Sequence, residues 1–155
     1  MLRLSVLAVG KLTDPALVDL TQRYLQRLQP HGTVKIIEVP HGKAATASAN
    51  QLAEAQALQA KTPPGAVVVM LDERGQNVTT RTLADKLATW RDQGVRDVVF
   101  VIGGADGLDP TYRASAPWVW QLSALTFAHQ WVRPLLLEQL YRVVTLWSGH
   151  PYHRD

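Results

Sequence analysis

The sequence contains no cysteine among its 155 residues. This absence excludes disulfide bonds, catalysis by a thiolate, and zinc or iron–sulfur sites that need cysteine ligands. A Gly-Lys-Ser or Gly-Lys-Thr phosphate loop is missing as well. Any chemistry in this protein must therefore use other groups.

Positively charged residues are in small excess over negatively charged ones. Lys and Arg number 16 against 13 Asp and Glu, which gives a formal charge of +3. This balance permits an RNA or other polyanionic partner without requiring one. No lysine follows Lys86, whereas eight of the 11 aromatic residues and three of the five histidines lie after position 110. Despite this shift in composition, the length predicts one domain over residues 1–155.

Long hydrophobic runs are scarce. The longest stretch without Asp, Glu, Lys or Arg has 19 residues, Ala114 to Val132. It is long enough to cross a bilayer but too polar for a lipid-facing helix, because it contains Ser115, Gln121, Ser123, Thr126, His129 and Gln130. The apolar run at the N-terminus is more typical of a strand than of a signal peptide. We therefore expect a soluble, cytoplasmic protein with no membrane partner.

Strand-like and helix-like apolar patterns alternate along the chain. This alternation predicts an α/β domain with a mostly parallel sheet and helices on both faces. The predicted strands are Leu2–Val9, Val34–Val39, Ala66–Leu71, Asp97–Ile102 and Trp118–Leu122. The predicted helices are Pro15–Leu28, about Ser48–Ala60, about Thr80–Gln93 and Trp131 to about Trp147. Residues Asp72 to Gly75 are predicted to form a polar turn that ends the third strand.

A glycine-rich segment, Gly103-Gly104-Ala105-Asp106-Gly107, follows the fourth predicted strand. Open parallel sheets bind ligands at the carboxyl ends of their strands, and glycines there let a ligand approach the backbone closely. The pattern is not the Gly-x-Gly-x-x-Gly of dinucleotide-binding proteins. By itself it fits a ligand site and a simple turn equally well.

The segment Leu122–Phe127 combines small and apolar residues. It could hold an aromatic base through backbone amides and carbonyls, or it could be an ordinary connection through the core. A third interpretation makes Ser123 the nucleophile of a hydrolase that also uses a histidine. No Gly-x-Ser-x-Gly elbow surrounds Ser123, which argues against a hydrolase.

The last helix and the tail concentrate polar side chains in an otherwise apolar region. The residues Gly149 to Asp155 supply groups suited to proton transfer, base stacking and phosphate contact, namely His150, Tyr152, His153 and Arg154. The two histidines have no further ligands nearby in the sequence, so no metal site is predicted. On the helix, Glu138 and Arg142 are four residues apart and can form an ion pair.

Three segments of the C-terminal half are characteristic when they occur together. They are Val101–Leu108, Leu122–Arg133 followed by Leu137–Arg142, and His150–Arg154. In this order and at this chain length they resemble the bacterial ribosomal RNA large-subunit methyltransferase H family, small members of the SPOUT superfamily. The N-terminal Val6–Lys11 agrees as well, so the resemblance covers essentially the whole chain. Ala128 replaces the usual proline of the family, a departure that removes no functional side chain.

The resemblance implies a deep trefoil knot in the C-terminal part of the fold and a homodimer in which the knotted regions pack together. It implies transfer of a methyl group from S-adenosylmethionine to N3 of a pseudouridine in 23S ribosomal RNA, on the assembled ribosome and without a metal. By matching position, the cofactor would contact Leu71, Gly103, Gly104, Leu122, Ser123, Ala124, Leu125, Thr126 and Phe127.

The resemblance also directs attention to the last helix and the tail for catalysis. The candidate catalytic residues are Arg133, Glu138, Arg142, Tyr152, His153 and Arg154. His153 would accept the proton or orient the target base, while the others would assist, shape the cleft or hold RNA. One site shared between two chains is a further expectation. The alternative from another class is a non-enzymatic α/β module that binds a nucleotide or RNA.

Overall fold

The chain forms a five-stranded sheet and five α-helices in a computed structural model that describes residues 2–32 and 34–155. The strands are β1 (Arg3–Val9), β2 (Val34–Val39), β3 (Val67–Asn77), β4 (Asp97–Ile102) and β5 (Trp118–Gln121). The helices are α1 (Pro15–Leu28), α2 (Ala47–Lys61), α3 (Thr80–Asp92), α4 (Pro110–Ala114) and α5 (Val132–Ser148). The strand order is β2-β1-β4-β3-β5, and each of the four neighbouring pairs is parallel.

Local sequence signals set the ends of most helices. Asp14 begins α1, where its carboxylate accepts the N–H of Ala16 at 3.0 Å and Pro15 takes the first helical position. Threonines start α2 and α3 in the same way. Gly149 ends α5 with a φ of 73°, a left-handed conformation that glycine adopts readily.

Both faces of the sheet are covered by helices, as predicted. All six residues of β4, at the centre of the sheet, are buried. Its alternate side chains enter two separate cores. Phe100 lies in the core formed with α1, α3 and α5, whereas Val99 and Val101 lie in the core formed with α2 and α4. The continuous apolar run of this strand is therefore explained by burial on both sides.

The predicted polar turn after Leu71 is wrong. Strand β3 continues through this segment to Asn77 and pairs with β5, with a register shift between Leu71 and Gln76. Glu73 and Arg74 are exposed, so their polar side chains remain in contact with water and do not oppose an extended strand beside the edge of the sheet. Gly75 permits the pairing, since a Cβ there would lie 2.5 Å from the backbone carbonyl of Val119.

Smaller differences concern short elements. Helix α4 and two 3₁₀ turns, Gln29–His31 and His129–Trp131, were not expected from the apolar pattern. They are too short to show a helical period. Within residues 2–32 and 34–155, no helix has the length and apolar character needed to cross a membrane. The trefoil knot stays a prediction.

Replacing Gly75 with alanine tests the close contact between β3 and β5. The added Cβ would meet the backbone of Val119, which cannot rotate away as a side chain could. We expect the free energy of unfolding to fall by about 1–3 kcal/mol, the usual cost of overpacking. Urea denaturation measures this change. The control Glu73→Ala, in the same strand and exposed, should change stability by less than about 0.5 kcal/mol. Equal effects of the two variants would contradict the explanation.

Candidate active site

A cavity of about 370 Å³ lies at the carboxyl ends of β4 and β5, beside the middle of β3. Three segments enclose it: residues 71–74 of β3, the turn that follows β4, and the loop that follows β5. Parallel strands bring these three segments to one edge of the sheet, which is where open α/β sheets bind ligands. Cavities of this size hold small-molecule ligands and cofactors.

All nine residues predicted to contact a cofactor line this one cavity. They are Leu71, Gly103, Gly104, Leu122, Ser123, Ala124, Leu125, Thr126 and Phe127. The first and last of them are 56 positions apart in the sequence, so their convergence is a property of the fold. The structure thus brings the predicted set together without showing a ligand in it.

The loop after β5 is shaped by its own polar groups. The Ser123 hydroxyl accepts the N–H of Leu125 at 3.0 Å, which closes a small turn. Its hydrogen bond is therefore with the backbone and not with a histidine, which does not support the hydrolase interpretation. Farther along, the side-chain oxygen of Gln130 accepts the N–H groups of Thr13 and Asp14 at 3.1 and 3.0 Å.

The glycine turn is packed too tightly for a larger residue. A Cβ on Gly104 would lie 2.9 Å from Cγ1 of Val9 and 3.0 Å from Oε1 of Glu54. The Gly107 N–H donates to the Gly104 carbonyl at 3.0 Å and closes the turn. Glycine is thus required at position 104 by packing beneath the cavity, a reason that the sequence alone did not reveal.

Polar side chains at the cavity were missed by sequence reasoning. Asp72, Glu73, Arg74 and His129 all line it. The Asp72 side chain is only 7% exposed, and its Oδ1 accepts the backbone N–H of Arg74 at 2.9 Å. The sequence did contain a signal that Asp72 lies at the site, because Asp72 directly follows the buried run of β3, where the strand reaches the ligand-binding edge. The false prediction of a turn obscured it.

His129 is held in its neutral form. Burial lowers the pKa of its imidazole, and the nearby positive charge of Arg133 and the imidazole of His41 lower it further. A neutral imidazole at the cavity can both donate and accept hydrogen bonds.

A second group of polar residues, which we call the tail cluster, is formed by Glu138, Arg142, Tyr152 and His153. Arg142 Nε donates to Glu138 Oε1 at 2.7 Å, so the ion pair expected from the spacing is present. Arg142 Nη1 lies 3.2 Å from Nδ1 of His153. The guanidinium also lies over the Tyr152 ring, 5.0 Å from its centroid. The C-terminal tail therefore folds back along α5.

Tyr152 remains protonated in this cluster. Burial raises the pKa of its hydroxyl, as do a hydrogen bond with Tyr24 at 3.1 Å and the negative charge of Glu138. The hydroxyl donates to Glu138 Oε1 at 3.5 Å. Tyr152 can thus donate a hydrogen bond or stack, but it is unsuited to accept a proton.

Two of the candidate catalytic residues lie outside the tail cluster. Arg133 is buried near the start of α5, where it forms an ion pair with Glu38 and donates to the Gly10 carbonyl at 3.2 Å. It therefore ties α5 to the ends of β1 and β2. Arg154 is exposed.

The tail cluster does not line the cavity of the same chain. Val132 is the only part of α5 that lines it among the residues the structure describes. Glu138 and Arg142 follow 6 and 10 positions later, which places them about 9 and 15 Å farther along the helix axis. The structure thus separates the two sets of predicted site residues. Within the described part of the chain, no group of three His, Asp or Glu side chains is arranged to hold a metal ion.

Fold and cavity together define an α/β protein with a ligand site at the carboxyl edge of a parallel sheet. A family model described as a predicted SPOUT methyltransferase matches residues 2–153. The chain therefore belongs to the SPOUT methyltransferase family. This confirms the resemblance found in the three C-terminal segments.

Curated relatives match along their full length. The chain is 42% identical over 159 residues to the ribosomal RNA large subunit methyltransferase H of Bradyrhizobium diazoefficiens, covering 99% of each protein. It is 43% identical over 159 residues to the protein of the same name from Sinorhizobium medicae, again covering 99% of each. A solved structure of a probable methylase family protein from Haemophilus influenzae has the same fold, with a TM-score of 0.55 at 11% identity over 99% of this chain and 70% of that one.

The lowered pKa of His129 predicts a loss of stability in mild acid. The unfolded chain binds a proton at this residue near pH 6.5, whereas the folded chain binds it only at lower pH. Stability is thus complete above about pH 6.5 and falls as the pH is lowered toward the folded pKa. Because His129 is also exposed to solvent, the slope should stay well below the limit of about 1.4 kcal/mol per pH unit set by one proton.

Urea denaturation between pH 7.5 and 5 measures this slope. The His129→Gln variant should show a shallower slope than the wild type over this range. As a control, Gln59→Ala on the exposed side of α2 removes no titratable group and should keep the wild-type slope. Identical slopes in the wild type and His129→Gln would show that the assigned pKa shift is wrong.

Proposed function

We propose that this chain is an S-adenosylmethionine-dependent methyltransferase that methylates N3 of a pseudouridine in 23S ribosomal RNA. The target would be presented on the assembled ribosome in the cytoplasm. The observation that carries the proposal is the convergence of nine predicted cofactor residues on one cavity in a member of the SPOUT methyltransferase family. The names of the full-length relatives support the choice of ribosomal RNA as the substrate.

The residues at the cavity fit S-adenosylmethionine. Leu122, Leu125 and Phe127 offer apolar surface to an adenine ring, and the glycine turn leaves backbone groups accessible. The exposed Glu73 carboxylate suits a ligand that carries a positive sulfur and an ammonium group. When bound, S-adenosylmethionine supplies a methyl group on that sulfur, ready for attack by a nucleophilic nitrogen.

The chain's task in the reaction is to position the base and to assist loss of its N3 proton. The N3–H group of a pseudouridine is a weak acid, and alignment of the two reactants supplies much of the rate. His153 would accept the proton or orient the base. Tyr152, protonated and partly buried, and Arg154 would stack on or donate to the RNA. The net charge of +3 suits a substrate held by the shape of a ribosome as well as by phosphate contacts.

The active form is proposed to be a homodimer that shares its sites. In one chain the tail cluster lies about 9–15 Å along α5 from the cavity, so a partner's tail would have to complete the site. Exposed apolar side chains are available for such contact: Leu125 and Phe127, which line the cavity, are 72% and 40% exposed, and Trp131, just before α5, is 46% exposed. In the dimer, one chain would hold the cofactor and the other would contact the RNA.

Thermal unfolding with added ligand tests the cofactor. S-adenosylmethionine or S-adenosylhomocysteine should raise the melting temperature, by the equivalent of about 2.7 kcal/mol at one hundred times the dissociation constant. NAD and ATP should have no effect. Ala124→Trp, which fills the cavity, should abolish the shift, whereas Ala60→Trp on the exposed end of α2 should retain it. No shift with saturating cofactor would contradict the proposal.

Methyl transfer to ribosomes separates the enzyme from the binding module. A non-enzymatic module would bind cofactor or RNA but would not label 23S rRNA with the methyl group of S-adenosylmethionine.

Mixing two inactive variants tests whether the sites are shared between the two chains. Ala124→Trp and Arg142→Ala should each be inactive alone, yet an equal mixture of the two should recover about a quarter of wild-type activity if each site uses both chains. No recovery after confirmed subunit exchange would contradict a shared site.

A further inference from the structure

We propose that His153 is a neutral positioning residue that orients Arg142, and that Asp155 and Arg81 are positioning residues behind it. This inference rests on the proposed function, and it replaces the two roles left open for His153, proton acceptor or direct orienter of the base, with an indirect role. It assigns to the Arg142 guanidinium the stabilisation of negative charge on the target base. It also adds Asp155, at the end of the tail, and Arg81, on α3, neither of which was a candidate site residue from the sequence.

Both ring nitrogens of His153 have a hydrogen-bond partner. Nδ1 lies 3.2 Å from Arg142 Nη1, and a guanidinium only donates, so Nδ1 must offer its lone pair. Nε2 lies 3.0 Å from Asp155 Oδ1, and a carboxylate only accepts, so Nε2 must carry the proton. One neutral tautomer satisfies both contacts. With its side chain only 7% exposed, this imidazole has its one accepting position already occupied.

Asp155 is itself held in place by Arg81. Arg81 Nε lies 2.8 Å from both carboxylate oxygens of Asp155, and its Nη2 lies 2.8 Å from Oδ2. Hydrogen bonds from Arg81 and His153 lower the pKa of Asp155, so that it remains an acceptor. A chain of alternating partners thus runs Arg81, Asp155, His153, Arg142 and Glu138.

Arg142 is the member of this chain of partners that can contact RNA. Glu138 accepts from its Nε at 2.7 and 3.1 Å, His153 accepts from Nη1, and the Tyr152 ring lies beneath the guanidinium. A guanidinium has five N–H donors. Those not engaged by Glu138 and His153 can donate to a base carbonyl oxygen beside N3.

The balanced reaction gives Arg142 a clear role. The N3 proton passes to solvent water, the nitrogen lone pair forms the bond to the methyl carbon, and the electrons of the broken carbon–sulfur bond stay on sulfur. Negative charge develops on the base carbonyl oxygens as the proton leaves. A fixed guanidinium beside such an oxygen stabilises that charge without the need to reorganise.

Two substitutions of His153 separate positioning from proton acceptance. The amide of asparagine occupies the place of Nδ1, whereas that of glutamine reaches the place of Nε2. We expect His153→Asn to keep kcat within about tenfold of the wild type and His153→Gln to lose considerably more, with little change in cofactor affinity for either. Equal losses of about 10²–10⁴-fold in both variants, as removal of a general base would give, would overturn the inference.

The outer residues are tested against a matched ion pair. Arg81→Ala and Asp155→Ala should each lower kcat about two- to fivefold while cofactor affinity stays unchanged, and Arg81→Lys should recover part of the loss. Arg23 and Asp19 form an ion pair of similar exposure on α1, so Arg23→Ala should leave kcat unchanged. An unaltered kcat in Arg81→Ala and Asp155→Ala would contradict the positioning role.

A spectroscopic measurement is independent of turnover. The ¹⁵N spectrum of the His153 ring should show the Nε2–H tautomer in the wild type and a mixture of tautomers in Asp155→Ala. If the wild type shows this tautomer but does not methylate ribosomes, the proposed function fails while the geometry stands. A charged imidazolium or the Nδ1–H tautomer at neutral pH would overturn the inference itself.

Discussion

A buried arginine fixes the element on which both halves of the candidate site depend. Arg133 forms an ion pair with Glu38 and donates to the Gly10 carbonyl, which joins the start of α5 to the ends of β1 and β2. From that point the helix contributes Val132 to the cavity and carries the tail cluster farther along its length. The Arg133 side chain is 9% exposed and that of Glu38 is 38% exposed, so loss of Glu38 would leave a buried guanidinium without its charged partner. The cavity and the tail are therefore positioned by the same contact.

Because the cavity and the tail cluster are separate within one chain, they would bind different substrates in the proposed enzyme. The cavity is built mainly from backbone turns and apolar side chains, with carboxylates at one side. The tail cluster is built from an arginine, a glutamate, a histidine and a protonated tyrosine. The first set suits a small ligand with a positive centre, and the second suits a nucleobase and its phosphates. A dimer would bring the two together at a single reacting atom.

Sequence patterns predicted the parts of this molecule that depend on local rules. The five strands, the long helices and the nine cavity residues followed from apolar periodicity, from helix-capping residues and from a resemblance that was specific because several segments matched in order. The prediction of a polar turn after Leu71 failed because residues 72–75 form a bulge inside β3: Leu71 and Gln76 both pair with Trp120, so the strand resumes its pairing with β5 after the polar residues. The partners of Arg133 and of Asp155 could not be predicted, since they lie 95 and 74 positions away.

The most direct test of the account is mass analysis of 23S rRNA from the source cells after deletion of this protein. If the chain methylates N3 of a pseudouridine, that methyl group should vanish from the rRNA in the deletion strain. It should return when the wild-type chain is expressed, but not when the cavity-filling variant Ala124→Trp is expressed instead. A pseudouridine that remains methylated at N3 in cells lacking the protein would contradict the account.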